Sequence, residues 1–415
     1  MPTSRLTQLL LAGSFLAASG APAFALDTDD LMAKLKAVTE KQSHMTFTYD
    51  SVEEGSDGSV TISGMEFSPM PGAGDEMDEF KQKAPITLNL QDVQENNDGS
   101  YLIGKSMASD MAFMMEDAEI AIASITETNI HVPAGADLAV LSGWGYGENT
   151  EVKDITVTFD GNKLLTIDDA SAKQHFNDAR TQADYLADVT GISLDLSQVD
   201  DLEPEARATL EELDLLQTTS TFTIGGSWDL ESGNLDVTTY SLATENVGTL
   251  DFGMQVTGVT LETLETLQKI SELAQSEEME DAPSDGASSE QENPYQAELM
   301  KLGQTIGVSG LSIKFTDDSI TNRLIQTIAK EKNISPDALI SEWKGQMTAG
   351  LAGLEMPDLA ASVSSAVDSY LADPQSFSVS IKPQMQMPVL AVVMAGAAAP
   401  KAIPQLLNLE IKANQ

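Results

Sequence analysis

The chain of 415 residues contains 65 acidic residues, 22 basic residues and no cysteine. The lack of cysteine excludes disulfides, thiol catalysis and zinc sites with cysteine ligands. The formal net charge of −43 disfavours binding to nucleic acid and to anionic lipid headgroups, because like charges repel.

Residues 1–25 have the pattern of a secretory signal peptide. Arg5 precedes a short apolar stretch, residues 9–18, and Ala23-Phe24-Ala25 matches a small-x-small cleavage site. We therefore expect export, cleavage after Ala25 and a periplasmic protein. The mature chain would carry 21 basic and 65 acidic residues, a net charge of 21 − 65 = −44.

A first helix is predicted near residues 28–38, and most of the following 220 residues alternate apolar and polar side chains. Period-two alternation predicts strands with one apolar and one polar face, which is typical of antiparallel sheets. The clearest runs are 45–49, 86–90, 155–159, 192–196, 250–256, 311–315 and 377–381. Hairpin turns are predicted at four Asp-Gly or Ser-Gly pairs, 57–58, 98–99, 160–161 and 232–233. We expect about a dozen strands in all.

Helical periodicity is concentrated in the C-terminal third. Apolar stripes predict helices near residues 261–270, 320–328 and 359–367, and Ser335-Pro336 predicts the start of another. The predicted fold class is therefore α+β, predominantly an antiparallel β-sheet with helices in the C-terminal third.

Residues 276–293 are predicted to be an acidic disordered linker. They contain seven acids, no basic residue and no aromatic residue, so they cannot bury enough apolar surface to fold. This segment would divide a β-rich domain, residues 26–275, from a helix-rich α+β domain, residues 294–415. Residues 68–79 form a second acidic loop rich in glycine and proline.

The sequence contains no local metal-binding pattern. His44, His131 and His175 are far apart in the sequence and form no His-x-x-x-His pair. A calcium-binding EF-hand loop needs a glutamate six residues after its central glycine. Taking Gly58, Gly99 and Gly161 in turn as that glycine puts Gly64, Lys105 and Ile167 at the glutamate position. We therefore predict no metal, no cofactor and no catalytic residue.

One short motif suggests an enzyme. Ser341-Glu342-Trp343-Lys344 matches the S-x-x-K motif of penicillin-binding enzymes, but the partner motifs S-D-N and K-T-G are missing. The favoured interpretation is a helix on which Trp343 packs inward with Leu339 and Ile340, while Ser341 and Lys344 lie on the surface. A hydrolase or transpeptidase-like enzyme remains an alternative.

The glycine-rich stretch SGWGYGEN, residues 142–149, allows two interpretations. Its G-x-G-x-G spacing differs from the dinucleotide-binding fingerprint. An exposed Trp144 and Tyr146 could stack on a sugar or lie at a lipid interface. The favoured interpretation is an irregular turn whose rings cover the core, because aromatic side chains are mostly buried.

Residues 383–407 are the most apolar stretch outside the leader. Pro388 and Pro400 bracket only eleven residues, whereas crossing a bilayer takes about 20. We expect a short alanine-rich helix packed inside a soluble domain, with no transmembrane segment after signal cleavage. The alternating tail 409–412 is expected to return to a sheet edge.

Two stretches carry a resemblance to a known family. Residues 311–343 and 370–414 look like the C-terminal part of secreted proteins from Gram-negative bacteria known only as a domain of unknown function, numbered 2125. The resemblance implies a periplasmic bacterial protein. It carries no catalytic residue that could be transferred to this chain.

The sequence favours a non-enzymatic periplasmic protein that binds a lipid or other hydrophobic ligand on a one-sided antiparallel sheet. The predicted one-sided strands outnumber the helices available to cover them, and the 18 methionines suit an adaptable apolar lining. The alternative is an envelope structural or interaction protein without a small-molecule ligand, whose apolar sheet face is simply its core. The expected partners are accordingly a hydrophobic ligand or an envelope protein, and no nucleic acid.

Overall fold

The computed structural model describes residues 26–71, 80–137, 140–177, 179–199, 202–275, 294–353 and 355–415. The predicted signal peptide, the predicted linker 276–293 and most of the acidic loop 68–79 lie outside these residues. Within them, the chain forms two compact units. The first comprises the residues up to 175 with 185–207 and 214–222, and the second comprises 176–184, 208–213 and 223–415.

The first unit contains one N-terminal helix and ten strands. The helix α1 spans Thr28–Ser43. The strands are β1 Met45–Thr48, β2 Ser51–Glu54, β3 Val60–Pro69, β4 Lys81–Gln82, β5 Ile86–Gln91, β6 Gln94–Glu95, β7 Tyr101–Met115, β8 Ala118–Val132, β9 Tyr146–Phe159 and β10 Asn162–Phe176, whose last residue is counted in the second unit. Three further elements contribute residues to both units: β11 Gln182–Asp195, α2 Pro204–Glu212 and β12 Gln217–Asp229.

Six strands and most of the helices lie entirely in the second unit. Its strands are β13 Asn234–Thr244, β14 Gly248–Thr257, β15 Gly307–Asp317, β16 Ser376–Ile381, β17 Met387–Pro388 and β18 Glu410–Ala413. Its helices are α3 Leu261–Gln275, α4 Pro294–Thr305, α5 Ile320–Glu331, α6 Pro336–Ala352, α7 Pro357–Ala372, α8 Val389–Ala398 and α9 Ile403–Leu406.

The predicted α+β class is confirmed. The described residues contain 18 strands, more than the expected dozen, and every predicted run coincides with a strand to within one residue. Six of these strands have only two to four residues, and among them only β1 and β18 were recognised from their alternation. The predicted tail is confirmed as β18, which pairs with β16 from Phe377 opposite Ala413 to Ser380 opposite Glu410.

The first unit buries one face of its sheet. Strands β3, β5, β7, β8, β9 and β10 pair in that order, all antiparallel, and both β1 and β2 pair with β3. The apolar residues of this face are inaccessible to solvent in the middle of the sheet, where Ile62, Leu90, Ile103 and Ile130 are all 0% exposed. Leu31 and Leu35 of α1 belong to the same core, so this helix covers part of the face.

A polar cluster joins the start of α1 to β7. Asp27 caps the helix by accepting a hydrogen bond from the backbone N–H of Asp30 (3.0 Å). The Asp30 carboxylate accepts hydrogen bonds from Lys34 and from the Tyr101 hydroxyl, the latter at 2.8 Å. Lys34 also donates to the carbonyl oxygen of Gly99 (2.7 Å). The bonds from Lys34 and then from Tyr101 lower the pKa of the Asp30 carboxyl, because they stabilise its charged form.

The stability contributed by Asp30 should depend on pH. Because its pKa is lower in the folded state, ionised Asp30 stabilises the fold above about pH 4, and that contribution is lost as the pH falls through the folded-state pKa. Asp30→Asn should therefore lower the midpoint of urea unfolding at pH 7 and have a much smaller effect at pH 3. The exposed neighbour provides a control, Asp29→Asn, for the loss of one negative charge. An Asp30→Asn effect of equal size at both pH values would contradict this prediction.

The second unit includes strands from both sides of residues 276–293. Strand β14 pairs with β15 from Gly248 opposite Asp317 to Thr257 opposite Gly307. Residues 223–275 consequently lie in one compact unit with the C-terminal residues. The predicted boundary at 276–293 would instead place residues 223–275 in a different domain from the C-terminal residues. The change in composition at 276–293 separates these two segments in the sequence, but the pairing of β14 with β15 connects them.

The expectation that residues 383–407 are packed inside the protein is wrong. The short helix is present as α8, but none of its residues is buried. Val393 and Met394 are 61% and 63% exposed, and Met385, just before the helix, is 74% exposed. Among the described residues, no helix combines the length and the apolar character needed to cross a bilayer.

Candidate functional site

The sheet of the second unit has an apolar face built from cross-strand rows. Residues opposite each other in an antiparallel pair point to the same side of the sheet, so the register defines the face. The middle row contains Phe252, Ile313, Val379 and Ile411. Leu250, Phe315 and Phe377 form the row on one side, and Met254, Leu311 and Ile381 form the row on the other. We call these ten residues the open face.

The open face is largely accessible to solvent. Ile313 is 45% exposed, Leu250 39% and Val379 36%, and the other seven residues are half-buried. The equivalent central residues of the first unit are fully buried, as for Ile103 opposite Ile130. The same alternating pattern therefore produces a closed core in one unit and an uncovered apolar surface in the other. Large exposed apolar patches usually mark binding surfaces.

Aromatic residues contact two positions of the open face. The Tyr240 ring of β13 meets Phe252 edge-on, with ring centres 5.8 Å apart. Tyr370 of α7 meets Phe377 in the same geometry, also at 5.8 Å, and its hydroxyl lies 2.6 Å from the Thr321 hydroxyl. Burial raises the pKa of Tyr370, so this hydroxyl stays neutral at ordinary pH. Helix α7 thus covers the Phe377 end of the face and leaves the Ile313 row accessible.

The opposite face of this sheet is polar and contains a groove of about 310 Å³. By alternation, nine of the thirteen lining residues point to the polar side. Two glycines in central strands shape the groove: a Cβ at Gly253 would lie 2.7 Å from Ser312 Oγ, and one at Gly310 would lie 3.2 Å from Gln255 Oε1. The side chains of neighbouring strands therefore occupy the space above both glycines. The remaining polar-side residues are Thr238, Ser380, Lys382, Asn408 and Glu410.

The three histidines belong to the first unit and differ in environment. His44 ends α1 in a left-handed conformation and is exposed. His175 is exposed near the end of β10. His131 is 6% exposed, and its ring centre lies 5.4 Å from that of Tyr146. No group of three or more possible metal ligands occurs among the residues that the structure describes.

The residues of the S-x-x-K motif are engaged separately. The Ser341 hydroxyl donates to the backbone oxygen of Asp337 on its own helix (2.8 Å). Lys344 forms an ion pair with Asp368 of α7 (2.7 Å). Trp343 packs against a small helical core around the fully buried Leu339, as predicted. The motif residues thus hold α6 against its neighbour and do not hydrogen-bond to each other.

The glycine-rich stretch is fixed to α1 within the first unit. Gly145 exchanges two hydrogen bonds of 3.1 Å with the Gln42 side chain. Trp144 is half-buried, and Tyr146, which begins β9, has its ring tilted by 40° to that of His131. These contacts favour the interpretation as a turn that covers the core. A Cβ at Gly147 would lie 3.0 Å from Ile130, so this glycine allows close packing of the strands.

Glu127, which the sequence analysis did not single out, lies in the core of the first unit. It is 0% exposed, and its Oε1 accepts a hydrogen bond from Thr150 (2.7 Å) on the neighbouring strand. It occupies a core-facing position next to Ser106 of β7. A charged residue within a run of alternating residues looks like a solvent-facing position, so the sequence contains no signal that it is buried.

The chain matches the model of one protein family, described as "Uncharacterized protein", over residues 241–414. The matched range includes all ten residues of the open face and helices α3 to α9. It also includes both stretches on which the resemblance noted above depends. No curated protein matches the chain.

Proposed function

We propose that this chain is a non-enzymatic periplasmic protein that binds a lipid or other hydrophobic ligand on the open face of its second unit. The observation that carries the proposal is the exposure of the Phe252–Ile313–Val379–Ile411 row in the middle of a folded sheet. Leaving such side chains in water forgoes about 25 cal/mol for each Å² of apolar surface that could be covered. A ligand that covers this row gains that free energy.

The chemistry of the open face favours an apolar ligand. All ten of its side chains are apolar and none can donate or accept a strong hydrogen bond. The backbone groups of its strands are paired within the sheet. Recognition would therefore depend on apolar area, which suits acyl chains. Along β14, the open face extends from Leu250 to Met254, a distance of about 14 Å at roughly 3.4 Å per residue.

The pattern of residues 1–25 supports a periplasmic location. An apolar molecule that crosses an aqueous compartment needs a surface that shields it from water. The alternative function, an envelope protein without a small-molecule ligand, would require another protein or a second copy of the chain to cover the same face.

The test compares two adjacent residues of β15 whose side chains point to opposite faces. Ile313→Asp places a charge in the middle of the open face, and Ser312→Asp places the same charge on the polar face. Burial of one such side chain is worth about 1.5–3 kcal/mol, so Ile313→Asp should weaken binding of a fluorescent fatty acid at least about tenfold. Ser312→Asp should bind like the wild type.

Fluorescence titration measures both affinities, and circular dichroism establishes that both variants are folded. Native mass spectrometry of the wild type, purified from the periplasm of its source cells, should also reveal a bound molecule that organic extraction releases. If the wild type carries no ligand and does not bind the fatty acid, the envelope alternative replaces this proposal.

A further inference from the structure

We infer that helices α4 and α8 form a docking surface for a zwitterionic lipid bilayer, from which the open face takes its ligand. We call α4 and α8 the apolar helix pair. Four of its large apolar side chains are exposed: Val393 and Met394 on α8 by 61% and 63%, and Met300 and Leu299 on α4 by 55% and 40%. Isolated exposed apolar residues are common, but four on two packed helices form a surface that favours contact with another apolar phase.

The two helices pack closely against each other, so this exposure does not come from a loose arrangement. A Cβ added to Gly303 of α4 would lie 3.3 Å from the Cβ of Leu390 on α8. The backbone N–H of Val389 donates to the carbonyl oxygen of Ile306 (2.9 Å), which fixes the start of α8 next to the end of α4. The helices therefore use Gly303 and Leu390 for mutual packing and leave Val393, Met394 and Met300 outside.

The charge distribution identifies the kind of surface that fits. Residues 374–409 contain two lysines and no acid, whereas an average stretch of 36 residues in this chain has about six acids (65/415 × 36). Helix α8 carries no charge, and the two charged residues of α4, Glu298 and Lys301, form ion pairs with Lys269 and Glu262 of α3, so a protein partner that binds through charges would find few available here. The rest of the chain, with its large negative charge, repels anionic headgroups. A bilayer with zwitterionic headgroups fits both the scarcity of charge on the apolar helix pair and the negative charge of the rest of the chain.

The geometry of α8 suits a helix that lies in the bilayer interface. Its ten residues extend about 15 Å at 1.5 Å per residue, about half the hydrocarbon thickness of a bilayer. Interfacial helices usually have one apolar and one polar face, whereas α8 is apolar all round, so only the side that α4 leaves open would insert its side chains among the headgroups. The flexible side chains of Met300, Met394 and the neighbouring Met385 can adapt to disordered acyl chains.

The apolar helix pair is continuous with the open face. Strand β17 immediately precedes α8, and its Met387 pairs with Val308 at the start of β15. Val308 pairs in turn with Val256 of β14, two residues beyond Met254 of the open face. An acyl chain leaving the bilayer near α8 would therefore meet apolar side chains up to the Ile313 row. The identity of the cargo rests on the proposed function, whereas docking to the bilayer does not.

Flotation with phosphatidylcholine vesicles tests the docking surface. The mature wild-type protein should float with the vesicles. Val393→Asp should lower the partition coefficient about tenfold or more, because it removes about 1.5–3 kcal/mol of side-chain burial and adds a charge. Leu324→Asp is the matched control, since Leu324 is also an exposed apolar residue, 36% accessible on α5, and should leave flotation unchanged.

The outcomes separate this inference from the proposed function. Ile313→Asp should still float with vesicles although it no longer binds the fatty acid, and Val393→Asp should still bind free fatty acid. The inference is overturned if the wild type does not float, or if the Val393→Asp variant floats equally well. Neither result would contradict the proposal that the open face binds a ligand. Analytical ultracentrifugation provides a further check: a wild-type dimer that Val393→Asp dissociates would assign this surface to a second copy and also overturn the inference.

Discussion

Ile103→Asp is expected to unfold the first unit, whereas Ile313→Asp leaves the second unit folded. The two isoleucines both lie in inner strands that have a neighbour on each side, but Ile103 is 0% exposed and Ile313 is 45% exposed. A carboxylate at position 103 would be buried without a partner, which costs several kcal/mol (roughly 3–5), a large fraction of the stability of a domain. At position 313 it would remain in contact with water.

Hydrogen exchange measured by mass spectrometry distinguishes the two results, because it reports the strands of each unit separately. Ile103→Asp should abolish protection in β7 and β8, and Ile313→Asp should preserve protection in β14 and β15. Ile103→Val serves as the conservative control, with an expected loss of about 0.5–1.5 kcal/mol. If both aspartate variants lost protection to the same extent, the open face would be ordinary core and the ligand proposal would fail.

Leu339→Ala is expected to destabilise the helical part of the second unit by about 2–5 kcal/mol, since it leaves a cavity at a fully buried site. Leu339 belongs to a small core with Ile325 and Ala329, so few other contacts are available to compensate. Trp343 packs against this core, so its fluorescence provides a local measurement during urea unfolding once Trp144 and Trp228 are replaced by phenylalanine.

The control for this prediction is Ile334→Ala, at a site that is 36% exposed, where the loss should be well below that of Leu339→Ala. Because α7 covers the Phe377 end of the open face, weakening of the α5–α7 core should also uncover more apolar surface. Leu339→Ala should therefore bind more of an apolar fluorescent dye than the wild type. Equal effects of the two substitutions would show that this core contributes little to stability.

Local pattern determined most of the secondary structure. Alternation at 250–256, 311–315 and 377–381 predicts β14, β15 and β16, because a strand places successive side chains on opposite faces. The Asp-Gly pairs at 57–58, 98–99 and 160–161 lie between strands that pair with each other, since these residues suit tight turns. The tail 409–412 likewise contains enough alternation to predict an edge strand.

Only part of the candidate site could be predicted from the sequence. Its strands and their apolar faces follow from alternation, but alternation does not say whether another layer covers the face. Ile155 and Ile313 both lie in alternating runs, yet they are 1% and 45% exposed, because different elements pack around them. The acid-free stretch 374–409 was a signal for an unusual surface, yet its apolar composition suggests a buried helix equally well.

By itself, the sequence determined the absence of cysteine chemistry, the large negative charge, the α+β class and the positions of eight strands and six helices, all of which depend on composition or on neighbours along the chain. The tertiary structure decided which apolar faces are covered and placed α8 at the surface. It also gave Ser341 and Lys344 different bonding partners, and it packed residues 223–275 with the C-terminal strands. These properties depend on contacts between residues distant in sequence, such as the pairing of β14 with β15 across more than 50 residues. Burial is a property of such contacts, and local residue pattern does not encode it.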